Sequence, residues 1–199
     1  MLLARLVETS ERVAAASARS EKIALLAGTL LELGPDEIAP GVLYLSGELP
    51  QRRLGVGYAT LAELSRSAAA DSASLGVGEL DTSLSGIASL AGAGSSHARR
   101  VPLARIFERC TGAEQRFLHR LLVGELRQGA LQGIMVEALA RAARVPPSGV
   151  RRALMLSGSL DETARASLLG GAGSLDAFRL EPLRPTLRTL YEQGLQLPS

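Results

Sequence analysis

The sequence predicts an all-α fold built from two similar helical halves. Aromatic residues make up only 3% of the chain and Trp is absent, so the core must consist mainly of Leu, Ala and Val. Such a core favours helices over sheets, because β-branched and aromatic residues are the ones enriched in strands. Apolar residues recur three and four positions apart, and no stretch alternates apolar and polar residues as a half-buried strand does.

Four helices are predicted in the first half of the chain. Ser20 and Asp36 are the expected N-caps of the second and third helices, and Gly34-Pro35 ends the second. A loop rich in Gly and Arg separates the third helix from the fourth. The predicted helical segments are 2–18, 21–33, 37–45 and 58–70.

Six further helices are predicted in the second half. Residues 71–100 are rich in Ser, Gly and Ala, and we interpret them as the boundary between the halves, with Arg99 and Arg100 on an exposed connection. Pro146-Pro147 ends one helix and Ser148 is the expected N-cap of the next. The predicted helical segments are 80–90, 101–110, 112–126, 133–145, 149–158 and 160–169.

The predicted organisation is one helical domain over residues 1–175, with halves of about 1–75 and 76–170. Residues 176–199 have Gly, Pro and Arg at intervals and are expected to form an exit segment or linker. Each half contains Gly-Glu-Leu followed by Gln and Arg, 77 positions apart, which favours a duplication.

Positive charge is concentrated in the middle of the chain. Residues 95–155 carry eleven arginines and four glutamates, a net charge of +7 within a chain whose total is +2. Such a concentration suits a polyanionic partner, although a solvated helical surface explains it equally well.

The sequence offers little for catalysis or metal binding. It has no P-loop and no G-x-S-x-G, and His97 and His119 lie 22 positions apart, without the spacing of metal ligands. Both histidines are interpreted as surface or partly buried residues. The single cysteine, Cys110, excludes an internal disulfide and is expected to be a small buried apolar residue. The sequence therefore predicts no catalytic residue and no metal site.

No signal for a membrane or for secretion is present. No apolar run approaches the ~18 residues of a membrane span. The N-terminal segment carries charged residues within its apolar pattern, which is typical of an amphipathic helix and not of a signal peptide. We expect a monomeric cytoplasmic protein.

Two loops combine Arg and Gly between helices: the first loop, residues 46–57, and the second loop, residues 123–133. Glycine lets a backbone N–H approach a phosphate, and arginine adds a forked donor with a permanent charge. Two such loops could therefore grip a duplex from either side. The alternative interpretation is packing, in which the glycines cap helices and the arginines are merely exposed.

Both loops resemble those of a known family. Residues 44–61 and 113–142, together with "TSLSGIASLAG", are similar to the N-terminal DNA-binding domain of ATP-dependent DNA ligases, most closely the bacterial, actinobacterial-looking type. The first loop contains the family's Leu-Gly-x-Gly, and the second contains its Gly-x-Leu-Arg-x-Gly. The resemblance spans roughly residues 1–175.

The resemblance implies an all-helical, pseudo-two-fold domain that docks in the minor groove of nicked DNA. One departure is Arg53, which stands where relatives often have an acidic residue. The implied DNA contacts are Arg52, Arg53, Gly55 and Gly57 in the first loop and Gly124, Arg127, Gly129 and Gly133 in the second, with Arg99 and Arg100 as further candidates.

The family's adenylated lysine is missing. Ligases of this family form an adenylate on the lysine of K-x-D-G, whereas the only lysine here, Lys22, is followed by Ile-Ala-Leu. The chain is thus expected to be non-catalytic alone and to need no cofactor, with ATP and Mg²⁺ belonging to catalytic domains in cis or in trans. It is either part of a longer ligase or a stand-alone form, and the divergence after Arg184-Pro185-Thr186-Leu187 favours the latter.

The predicted function is sequence-nonspecific binding of duplex or nicked DNA in repair, replication or recombination, at the bacterial nucleoid. The alternative is a helical protein-interaction scaffold that kept the fold and lost DNA binding.

Overall fold

The computed structural model describes residues 1–51, 54–92, 94–126 and 130–179, and over these ranges the chain forms ten helices and no strand. The predicted all-α fold is confirmed. The helices are α1 (Leu3–Ala15), α2 (Arg19–Leu30), α3 (Ile38–Leu45), α4 (Tyr58–Leu64), α5 (Val77–Ser89), α6 (Ser95–Arg109), α7 (Gly112–Val123), α8 (Ala130–Ala143), α9 (Pro147–Ser157) and α10 (Leu160–Asp176).

Helices from both halves of the sequence share one hydrophobic core. α2 packs most extensively on α8, and α3 packs on α10, so helices from the beginning of the chain pack against helices from its end. α1 packs on both α2 and α7. Leucine dominates the core, as the composition predicts, and Tyr44 and Phe107 are its largest fully buried side chains. The division near residue 75 and the pseudo-two-fold relation stay predictions.

Three predicted N-caps are wrong. α2 follows Ala18, α3 follows Glu37 and α9 follows Pro146, and none of these residues makes a side-chain capping bond. Pro147 begins α9 because proline has the φ of a helix and lacks only an N–H that the first turn leaves unpaired.

α6 begins earlier than the sequence predicts. The prediction placed its start at residue 101. In the structure α6 begins at Ser95, directly after Gly94 with φ 79°, and Pro102 lies inside the helix. Arg99 and Arg100 therefore belong to a helix and not to an exposed connection.

α10 continues beyond the predicted end at residue 169. It reaches Asp176, with a kink at Gly171, whose φ of 61° and ψ of −148° are not helical. Much of the predicted exit segment, residues 180–199, lies outside the described residues.

A capping box fixes the start of α7, and the sequence analysis missed it. The Thr111 Oγ1 accepts from the Glu114 N–H at 3.4 Å, and the Glu114 Oε2 accepts from the Thr111 N–H at 2.8 Å. This reciprocal pair satisfies two N–H groups that a helix start otherwise leaves unpaired. Glu114 is completely buried.

None of the helices in the described ranges combines the length and the apolar character needed to cross a membrane.

Candidate nucleic-acid interface

The first loop leaves α3 through a glycine in the left-handed region. Gly47 has φ 75°, its N–H donates to Tyr44 O at 3.0 Å, and the N–H of Glu48 donates to Leu43 O at 2.8 Å. These two bonds form a Schellman motif, which satisfies carbonyls at the end of a helix.

The second loop leaves α7 through the same motif. Gly124 has φ 79°, its N–H donates to Leu121 O at 3.2 Å, and the N–H of Glu125 donates to Arg120 O at 2.8 Å. The repeated Gly-Glu-Leu is thus a repeated helix end. The left-handed φ of Gly124 at a helix end is what the packing interpretation expects of this glycine. Nothing lies within 4 Å of the position that a Cβ would take there. The third Gly-Glu-Leu, residues 78–80, lies within α5 instead.

The end of the first loop is shaped by two glycines with different roles. Gly55 has φ 63°, whereas Gly57 is extended, with φ −70° and ψ 151°, and is the N-cap of α4. Leu54, between these glycines and the undescribed Arg52 and Arg53, is buried and anchors the loop to the core.

Arg99 reaches from α6 to the first loop. Its Nη1 donates to Gly55 O at 3.1 Å, and its Nη2 donates to Leu90 O at the C-cap of α5. The neighbouring Arg100 forms an exposed ion pair with Glu63 of α4 at 2.5 Å. Both predicted contact residues therefore have partners within the protein.

Gln51 holds the middle of the first loop on α5. Its Nε2 donates to Asp81 Oδ1 at 2.8 Å and to Ser85 Oγ at 2.9 Å. Asp81 Oδ1 also accepts from the Tyr44 hydroxyl at 3.3 Å. Burial, reinforced by the Asp81 carboxylate, raises the pKa of Tyr44 above its ordinary range, so the hydroxyl remains a donor.

Both ends of the first loop lie near the C-terminal part of α7, where the second loop begins. Tyr58, the first residue after the first loop, places its ring against His119 of α7, with centroids 6.0 Å apart and an angle of 68° between the planes. A small hollow near the start of both loops is bordered by Leu45, Arg120 and Leu126. The structure thus brings together two segments that the sequence separates by 77 positions.

Arg120 is a candidate contact that sequence reasoning missed. It is exposed, borders the small hollow that α1, α2 and α3 also line, and has no carboxylate within 4.0 Å among the described residues. Its position four residues before the C-cap Gly124 was the available signal, because an arginine there lies in the last turn before the loop.

The remaining predicted contacts divide into two groups. Gly133 lies inside α8, exposed, near the ion pair of Arg19 with Glu137 at 2.8 Å. A Cβ at Gly133 would lie 3.7 Å from Arg19 Nη2. Arg52, Arg53, Arg127 and Gly129 lie outside the described residues.

The structure also bears on the residues considered for other chemistry. Cys110 is completely buried, as predicted, and burial raises its pKa to about 12. His119 is partly buried and His97 is exposed, which agrees with their interpretation. Among the described residues, no three His, Cys, Asp or Glu side chains lie close enough together to hold a metal ion.

Comparison with known proteins identifies the family. Residues 61–140, from α4 into α8, match the family model described as DNA ligase N terminus. The chain is 51% identical over 195 residues to a probable DNA ligase of Saccharopolyspora erythraea, an alignment that covers 96% of this chain and 38% of that protein. The chain belongs to the DNA ligase N-terminal family.

Other relatives of this ligase N-terminal chain come from different bacteria. A probable DNA ligase of Anaeromyxobacter sp. is 49% identical, with 94% of this chain and 37% of that protein covered. One of Rhodococcus jostii is 46% identical, with 96% and 39% covered. The chain spans about two fifths of the length of the relatives that it matches.

Proposed function

We propose that this ligase N-terminal chain binds double-stranded DNA without sequence preference, with the two loops as its contact surface. The observation that carries the proposal is that both ends of the first loop and the start of the second lie near the C-terminal part of α7. Arg120 lies there too; it is exposed and has no carboxylate within 4.0 Å among the described residues. A grip on a duplex needs two contact segments on one side of the protein, and it needs cations that are not already paired.

The relatives supply the biological setting. Relatives named probable DNA ligases favour the DNA of repair or replication as the target. The form that we propose the chain prefers is a duplex with a nick. Binding through phosphates and the minor groove favours a nicked duplex, since a nick makes the duplex easier to deform. The sealing chemistry, with its ATP and Mg²⁺, belongs to catalytic domains that act with this chain in the bacterial cytoplasm.

Anisotropy of a labelled nicked duplex and an intact duplex of identical sequence, measured across a salt series, tests the proposal. We expect steep salt dependence, because each neutralised phosphate contributes about −0.9 to the slope of log K against log[salt]. The nicked duplex should bind more tightly. No binding at low salt by a folded chain would contradict the proposal.

Arg127→Ala tests the second loop. We expect weaker binding to every sequence and a salt slope flatter by about one unit, because a phosphate contact is lost. Arg120→Ala should behave in the same way. Arg165→Ala on α10 is the control, since it also removes one exposed arginine but lies beside Pro35, away from both loops. Equal effects of all three variants would point to net charge alone.

The alternative function, a protein-interaction scaffold, would use a different surface. An apolar groove of about 440 Å³ lies between α5 and α6, lined by Leu75, Ile87, Leu90 and Ile106 with Arg105 and Arg109. If the folded chain fails to bind DNA, this groove is the place to search for a protein partner.

A further inference from the structure

Arg99 occupies an unusual position for an arginine expected to meet DNA. Its two terminal nitrogens each donate to a backbone carbonyl, of Gly55 and of Leu90, and its Nε is buried without a partner among the described residues. The side chain is only partly exposed. The guanidinium therefore joins three elements: α6, the C-cap of α5 and the end of the first loop.

The fit between Arg99 and Gly55 is close. A Cβ at Gly55 would overlap Nη1 of Arg99 and lie 3.1 Å from its Cζ. Gly55 also has φ 63°, a conformation that residues with a side chain rarely adopt. The left-handed φ therefore favours glycine here, and a Cβ would in addition displace the end of the Arg99 side chain from its present position.

We propose that Arg99 is a positioning residue, which supports DNA binding by holding the first loop in its binding conformation and not by contacting a phosphate. The inference rests on the proposed function. It replaces the expectation that Arg99 touches DNA, because the nitrogens at the end of its fork are already engaged. It also gives Gly55 of the first loop a hydrogen-bond partner 44 positions away in the sequence.

The proposed positioning role depends on the forked shape of the guanidinium. One arginine can donate to two separated carbonyls at once, because its terminal nitrogens are held apart in a plane. A lysine at the same position keeps the charge but has a single nitrogen. Charge and fork can therefore be separated by Arg99→Lys.

The experiment measures affinity for the nicked duplex across a salt series for Arg99→Gln, Arg99→Lys and Gly55→Ala. We expect each variant to bind about tenfold more weakly, the effect of losing a hydrogen bond to a charged donor. The salt slope should remain that of the wild type, since no phosphate contact is lost. Arg109→Gln is the matched control: it removes one arginine from the same helix, where the partner is Glu79 of α5 and not the first loop.

Hydrogen exchange of the DNA-free protein provides a second readout. The amides of residues 54–57 should exchange faster in Arg99→Gln and Arg99→Lys than in the wild type and Arg109→Gln. This measurement reports on the loop itself, and intact protection of the core amides shows that the variants are folded.

The outcomes separate the two proposals. If the wild type binds no DNA, the proposed function fails and the inference fails with it. If the wild type binds, a slope flatter by about one unit in Arg99→Gln shows a direct phosphate contact and overturns the inference alone. Wild-type affinity of Arg99→Lys, or unchanged exchange of the loop amides, also overturns it.

Discussion

The first and second loops leave their helices through the same Schellman motif but are held in different ways. Gln51 and Arg99 fasten the first loop to α5 and α6 through side-chain hydrogen bonds. Among the described residues of the second loop, Gly124, Glu125 and Leu126 receive no such bond from another helix, and Leu126 is anchored by burial alone.

This difference suggests that the two loops would contribute differently to the proposed binding of DNA. A loop that is fastened by side chains presents a fixed backbone shape, and its nearby arginine already has partners. The described second-loop residues Gly124, Glu125 and Leu126 lack such bonds, and the neighbouring Arg120 has no carboxylate within 4.0 Å among the described residues, so its charge is available to a ligand. We infer that shape recognition comes mainly from the first loop and phosphate neutralisation mainly from the second.

The shared motif should give the largest effect on stability. Gly47→Ala and Gly124→Ala each force a residue with a Cβ into the left-handed region, at a cost of about 1–2 kcal/mol in the free energy of unfolding. Gly47→Ala should be the more damaging of the two, because Gly47 is buried whereas Gly124 has open space around it. Urea denaturation measures both.

Gly124→Asn is the control for this pair. Asparagine adopts the left-handed region more readily than alanine, so it should retain more of the stability. An alanine variant at Gly124 as stable as the wild type would show that the two helix ends are not equivalent.

The hydrogen bonds of the Gln51 side chain, which hold the first loop on α5, should have an intermediate effect on stability. Gln51→Ala removes the hydrogen bonds to Asp81 and Ser85, and we expect a loss of about 1 kcal/mol in the free energy of unfolding. Amide exchange should rise in residues 54–57 and stay unchanged in residues 124–126. Mass spectrometry of the corresponding peptides can check this.

Glu125→Ala is the matched change in the second loop, since the Glu125 side chain is exposed and makes no side-chain hydrogen bond within the described part of the chain. It should alter stability by less than about 0.5 kcal/mol. Equal effects of Gln51→Ala and Glu125→Ala would remove the distinction between the loops.

The ring contact between α4 and α7 should give the smallest effect on the free energy of unfolding. A double-mutant cycle of Tyr58→Leu and His119→Leu isolates the edge-on ring contact, and we expect a coupling energy of about 0.5 kcal/mol. The value lies at the lower end for aromatic pairs because Tyr58 is 65% exposed. A coupling near zero in urea denaturation would mean that this ring contact does not help to hold α4, which follows the first loop, against α7.

The sequence was sufficient for the helices and insufficient for their connections. Helical spacing placed all ten helices, because most of their stability comes from one apolar face that the sequence displays directly. The start of α6 was missed, since Pro102 is the strongest local signal and favours a first turn. The capping box of Thr111 and Glu114 was readable but was overlooked.

The side-chain hydrogen bonds that hold the first loop could not be predicted from the local sequence pattern. Arg99 bonds to a carbonyl 44 positions away and Gln51 to a carboxylate 30 positions away, and neither pairing leaves a periodic signal. Backbone carbonyls in particular have no sequence signature, because every residue has one. Sequence therefore identified Arg99 as a cation near the site but not the partner of its guanidinium.

The packing of α2 on α8 has a consequence for the order in which the protein is made. α8 begins at Ala130, 100 residues after α2 ends at Leu30, so at ~5–20 residues per second the ribosome delivers it roughly 5–20 s later. Until then α1 covers α2 only in part, and the leucines that face α8 remain open to other chains. Lower growth temperatures slow translation and lengthen the interval between the synthesis of α2 and that of α8. A chaperone that shields α2 during this interval should raise the yield of native protein.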